Sequence, residues 1–181
     1  MRARQVRLLA LGVLLVAGAG VAFLASRPVQ QGATPVDSPL IGTVAPTVAG
    51  PTLGGHGRVA LASLRGRVVV LSFFASWCGA CGEEAPSFAA FAWHEHRTHA
   101  PVRVLGVVYN DQDAAAAAFA ARYGLTFPVI DDPGGAIANA FGVAGPPVTV
   151  VVAADGRVAS VLDGPVTASQ LATATDRAAR A

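Results

Sequence analysis

The sequence predicts an α/β domain built on a central mixed β-sheet with helices covering both faces. Two long apolar runs, RVVVLSFF at Arg67 to Phe74 and VRVLGVVY at Val102 to Tyr109, show no polar alternation, as expected of strands buried on both sides. Segments of helical periodicity separate them, which is the βαβ pattern of parallel neighbours. Near the C-terminus, Asp155-Gly156 divides two further apolar runs and signals a hairpin, so antiparallel pairs share the same sheet.

Taken in order, Val59 to Leu61 reads as a short strand beside the Gly54-Gly55 turn, and Arg67 to Phe74 as the central strand. From Gly79 to about His99, apolar residues recur at Ala85, Phe88, Ala89 and Ala92, one face of a helix in which Pro86 predicts a kink. Val102 to Tyr109 forms the next strand. Asp111 is expected to cap a helix running through Ala114 to Tyr123. A strand near Phe127 to Ile130, a short helix near Ala136 to Phe141, strands at Val148 to Ala153 and Arg157 to Leu162, and a closing helix after Thr167 complete the domain.

What precedes this domain has a different composition. Arg2, Arg4 and Arg7 stand before the uncharged apolar run LLALGVLLVAGAGVAFLA, Leu8 to Ala25, which is about long enough to cross a bilayer. Positive charge ahead of the run keeps the short N-terminus cytoplasmic and sends the rest outward. Residues 1–25 are therefore expected to be a signal-anchor or transmembrane segment. The alternative is a cleaved signal peptide and a secreted or periplasmic domain. Residues 26–45, rich in Pro, Gly, Thr and Ser, read as a flexible linker, leaving residues 46–181 as one domain. All 13 basic residues are arginine, and the ten that follow the N-terminal three face 11 acids. This near-neutral outer portion has no basic stripe for nucleic acid.

The only two cysteines, Cys78 and Cys81, lie in ASWCGAC directly after the central strand. At this spacing a pair can be half of a metal site, a structural staple, or a reversible disulfide. A zinc-type site needs about four ligands, and a disulfide closing so small a loop constrains little of the unfolded chain. A buried strand running into C-x-x-C at a helix start favours redox chemistry. The unpaired N–H groups and positive dipole end stabilise a thiolate at Cys78, the expected nucleophile. Cys81, one turn further in, is placed to resolve a mixed disulfide.

The stretches IGTVAP, LRGRVVVLSFFASWCGACGEEAP, VLGVVYNDQD and FGVAGPPVT together resemble the membrane-anchored, thioredoxin-like thiol-disulfide oxidoreductases of the TlpA, ResA and DsbE kind, from about Gly42 to Thr175. The resemblance implies a thioredoxin-like fold with an N-terminal β-hairpin extension and an insert near Asn110 to Ile130. It also implies that Pro147 is a cis-proline facing the cysteines at the substrate-docking edge. Four positions depart from the family pattern. Ser72 replaces a buried Asp that elsewhere accepts a proton from the second cysteine. Gly79-Ala80 separate the cysteines without a proline, and Gly82 replaces a basic residue. Pro146, having no N–H, removes one backbone donor from the docking edge.

Glu84 matches an acidic position common in the family and is a candidate proton relay to the cysteines, although acids in a first helical turn are ordinary. Trp77 is expected either to pack beside Cys78 and restrict access or to serve the core. His94, His96 and His99 suggest copper handling, but their spacings place the rings on different faces, as on a solvated helix end.

With the apolar N-terminal run, the resemblance implies an extracytoplasmic enzyme that reduces disulfides of target proteins, with a role in cytochrome c maturation as one candidate. Its cofactor is none beyond the redox-active Cys78–Cys81 disulfide. Its expected partners are disulfide-containing extracytoplasmic proteins, apocytochrome c among them, and a thiol-reducing electron donor in the membrane, with no nucleic acid. The alternatives are a redoxin-type peroxidase, disfavoured because no threonine stands a few residues before Cys78, and a copper metallochaperone.

Overall fold

The computed structural model describes residues 32–55 and 57–180. The expected anchor at residues 1–25 and the first residues of the expected linker lie outside that range. Among the described residues, no helix is long and apolar enough to cross a membrane.

Among the described residues eight strands form: β1 (Thr34–Pro35), β2 (Ala49–Pro51), β3 (Arg58–Ala60), β4 (Val68–Phe74), β5 (Val102–Val108), β6 (Val129–Ile130), β7 (Val148–Val152) and β8 (Val158–Asp163). Helices α1 (Gly79–Arg97), α2 (Asp113–Arg122), α3 (Ala136–Ala140) and α4 (Ala168–Ala178) connect and cover them. The main sheet has the order β1-β8-β7-β4-β5-β6, with β2 and β3 paired separately as a hairpin. β4 runs parallel to β5 and antiparallel to β7, which makes the sheet mixed.

Every residue of β4 is buried, as its unbroken apolar sequence requires. Alternate side chains serve different cores. Val69, Leu71 and Phe73 join Leu105, Val107, Ile137 and Phe141 on one side. Val68 and Val70 join Val104, Phe88, Phe91 and Leu171 on the other. Leu71 has no exposed surface. Leu71→Ala is therefore expected to destabilise the domain by about 2–5 kcal/mol in urea denaturation, the range for a buried leucine whose cavity only partly collapses.

Two expectations on organisation need correction. Residues 26–45 are expected to be a flexible linker, but from Gly32 onward the chain belongs to the domain. β1 pairs antiparallel with β8, Ala33 is buried, and Gly42 N–H donates to the Val158 carbonyl at 2.8 Å. Secondly, Asp111 does not cap α2. The cap residue is Gln112, without a side-chain cap bond, and the Asp111 carboxylate accepts from the Gln112 N–H and reaches back to Ser76.

The Thr167 side chain accepts from Gln170 N–H and the Gln170 side chain from Thr167 N–H, a reciprocal capping box that starts α4. Helix α1 continues through Pro86 as one element and carries the cysteine pair at its N-terminus.

Candidate active site

β4 ends at Phe74, and four residues later the chain enters α1. Cys78 N–H donates to the Ala75 carbonyl at 3.2 Å, closing a turn that leaves Cys78 as the N-cap of α1. Its Sγ accepts a hydrogen bond from Cys81 N–H at 3.1 Å, taking one of the donors a helix start leaves unpaired. Cys78 and Cys81 are joined in a disulfide with Cα atoms 5.2 Å apart. The pair is unequal: Cys78 is 7% exposed and Cys81 only 1%. Access from solvent therefore favours the first sulfur.

Trp77, expected either to flank Cys78 or to serve the core, is 58% exposed and so is no core residue. Its indole N–H donates to the Asn110 carbonyl at 3.1 Å, and its ring meets the Tyr109 ring edge-on with centroids 6.4 Å apart. The exposed indole is thus held in place beside the cysteine loop.

Glu84 is buried, at 3% exposure, and sits in the second turn of α1; the first turn holds no acid. Together with Cys81, Ser72, Phe74 and Phe88 it lines a cavity of about 10 Å³. Burial pushes its carboxyl up to about 8, partly offset by the Val166 N–H that donates to Oε2 at 3.0 Å. The position of Ser72 carries no acid, but the helix presents one to the same small space. Glu83, by contrast, is exposed.

Gly82 has a local reason for lacking a side chain: a Cβ there would lie 2.8 Å from the Tyr123 hydroxyl. Tyr123 packs on Phe119, which stacks on Phe74, so an aromatic column closes this side of α1.

Pro147 immediately precedes β7, and Val148 pairs with Phe73, so Pro147 reaches the end of the sheet from which the cysteine loop emerges. The Pro146-Pro147 bond is cis, and the Pro147 carbonyl accepts from Gly164 N–H at 3.0 Å. His94, His96 and His99 are exposed at or just beyond the far end of α1. Among the described residues, no three His, Cys, Asp or Glu side chains gather as a metal site.

Sequence reasoning missed Tyr109, Asn110 and Asp111 as site residues. The Tyr109 hydroxyl donates to the Ala144 carbonyl at 2.9 Å, and Asp111 accepts from both the backbone N–H and the hydroxyl of Ser76. Their position directly after the β5 end, on the edge where β4 delivers Cys78, was the available signal.

The AhpC/TSA family matches residues 41–161. The chain is 30% identical over 114 residues to thiol-disulfide oxidoreductase ResA of Bacillus subtilis, covering 63% of each chain, so it spans less than two thirds of that relative's length. It is 31% identical over 163 residues to thiol:disulfide interchange protein HelX of Rhodobacter capsulatus, covering 88% of each. The solved structure of MTB dsbF in its mixed oxidized and reduced forms superposes with a TM-score of 0.66 at 30% identity, covering 72% of this chain and 94% of that one. The fold is thioredoxin-like. The chain belongs to the AhpC/TSA family, among the thioredoxin-like thiol-disulfide oxidoreductases of the TlpA, ResA and DsbE kind, and is an enzyme of that type.

Proposed function

We propose that the protein is a reductant of disulfides in target proteins outside the cytoplasm, held at the membrane by residues 1–25. The observation that carries this reading is Cys78 at the α1 N-cap with its sulfur on the Cys81 N–H, more accessible than Cys81. In the dithiol form the same N–H and the helix dipole stabilise a Cys78 thiolate. That thiolate attacks one sulfur of the target disulfide, a new S–S bond joins Cys78 to the target, and the other target sulfur leaves as a thiolate and takes up a proton.

Cys81 then loses its proton and attacks the Cys78 sulfur, restoring the Cys78–Cys81 disulfide and releasing the reduced target. Glu84 is the acceptor for that proton. Burial that pushes this carboxyl up to about 8 makes it a stronger proton acceptor, once ionised, than an ordinary carboxylate. Pro147 marks the docking edge for the target backbone, and Trp77 stands exposed in the loop beside Cys78. A thiol-reducing donor in the membrane returns two electrons to the disulfide.

The resemblance to the TlpA, ResA and DsbE kind supports cytochrome c maturation as the setting we propose, with apocytochrome c as target. Reduction of a C-x-x-C-H disulfide peptide faster than of a composition-matched peptide with displaced cysteines is the expected result. Equal rates would remove the cytochrome assignment.

The redox potential tests the reductant role. No residue from Ala75 to Gly82 is cationic, so only the helix terminus and one N–H favour the thiolate. A weakly stabilised thiolate leaves the disulfide comparatively stable. Equilibration with glutathione should give a value nearer about −270 mV, as in reducing thioredoxins, than the roughly −120 mV of strong oxidants. A value above about −180 mV would contradict a reductant.

A further inference from the structure

We infer that the turn Tyr109-Asn110-Asp111 is a positioning element that fixes the Cys78 loop relative to the Pro147 loop for a polypeptide substrate. Three consecutive residues bond in two directions. Toward the cysteines, Asp111 accepts from the Ser76 N–H and hydroxyl, and the Asn110 carbonyl accepts from the Trp77 indole. Ser76 and Trp77 are the two residues preceding Cys78. Toward the docking edge, the Tyr109 hydroxyl holds the Ala144 carbonyl, two residues before Pro146. The Tyr109 backbone N–H donates to the Phe74 carbonyl at 2.8 Å, which seats the turn on the end of β4.

The chemistry of these contacts argues against simple loop closure. The Asp111 carboxylate makes one local bond, accepting from the Gln112 N–H at 2.8 Å, while both of its oxygens also take donors from Ser76, 35 positions earlier, and α2 itself has no side-chain cap bond. Carboxylate acceptors make stronger hydrogen bonds than neutral ones. Asn110 adopts φ +44°, a left-handed conformation tolerated by asparagine, and its carbonyl takes the indole proton.

A small disulfide needs only the Cys78 sulfur. A polypeptide must reach that sulfur while its backbone rests on the Ala144 to Pro147 segment, so only the larger substrate senses the spacing between the two loops. The inference rests on the reading of the Pro147 segment as the docking edge.

The test uses the full chain with Cys81→Ser as parent, leaving one thiol. Two substrates carry the same leaving group: N-acetylcysteine and an extended peptide with a central cysteine, each as the mixed disulfide with thionitrobenzoate. The Cys78 thiolate attacks the cysteine sulfur, the new S–S bond joins Cys78 to the substrate, and thionitrobenzoate leaves with its electron pair and is read by absorbance. Adding Tyr109→Phe, which keeps the ring against Trp77 and deletes the bond to Ala144, should slow the peptide roughly three- to tenfold, the worth of one hydrogen bond, and leave N-acetylcysteine unchanged. A parent that prefers the peptide and keeps that preference in Tyr109→Phe overturns the positioning role alone. Equal slowing of both substrates overturns it too, because that marks a general loss of structure. A parent without any preference for the peptide removes the docking edge and the inference with it.

Discussion

Turnover of a polypeptide disulfide is expected to fall by on the order of a thousandfold or more in Cys78→Ser, to the background of the added thiol. Cys78 is the sulfur at the helix terminus, and serine at that place offers a hydroxyl that cannot form the mixed disulfide. Cys81 does not substitute for it, being 1% exposed and one turn inside α1. Cys81→Ser should lose multiple turnover equally but retain one covalent event, because the nucleophile survives and the resolving thiol does not. Insulin reduction followed by turbidity measures the first effect, and a single-turnover release of thionitrobenzoate the second. Full turnover in Cys78→Ser would remove Cys78 from the reaction.

The second large effect belongs to Glu84. Glu84→Gln preserves an acceptor for the Val166 N–H but removes the proposed proton acceptor beside Cys81, so release of target from the Cys78 mixed disulfide should slow by roughly a hundredfold at pH 7–8. Stability should move in the opposite sense at high pH. The folded carboxyl is raised from 4.5 to about 8, so the native state binds more protons than the unfolded chain between those values. Its contribution is complete below about pH 4.5, declines as pH rises, and is fully lost above about 8, a change of up to several kcal/mol. Urea denaturation of the oxidised protein from pH 5 to 9 should show that decline, flattened in Glu84→Gln. An identical slope in both proteins would mean that Glu84 is not the titrating group.

How far such features are legible in the sequence varies with the physics behind each. β4 and β5 were readable because burial on both faces demands unbroken apolar runs. β1 was not: Thr34-Pro35 has linker composition, and its place in the sheet comes from backbone pairing with β8, which composition does not report. The start of α1 at Cys78 was readable because strand, turn and helix start all bear on one motif. Burial of Glu84 had a usable signal, since Cys81, Glu84, Ala85 and Phe88 fall at i, i+3, i+4 and i+7 and share the inward stripe. From sequence, Glu84 stays open between a proton relay and an ordinary early-helix acid, because composition does not report its burial. Asp111 illustrates the limit. A cap and a long-range acceptor look identical in sequence, and only the return of β4 beside the β5 end brings Ser76 within reach. Trp77 is similar, because the carbonyl that accepts its indole N–H lies 33 positions away.

The most direct measurement of the division of labour between the cysteines is covalent trapping in the compartment where the domain works. Cys81→Ser and Cys78→Ser variants, expressed with their N-terminal segment, are resolved on non-reducing gels and their reducible adducts identified by mass spectrometry. Cys81→Ser is expected to accumulate mixed disulfides with target proteins through Cys78, while Cys78→Ser traps almost nothing. Adducts of equal abundance in the two variants would contradict Cys78 as nucleophile and Cys81 as resolving thiol.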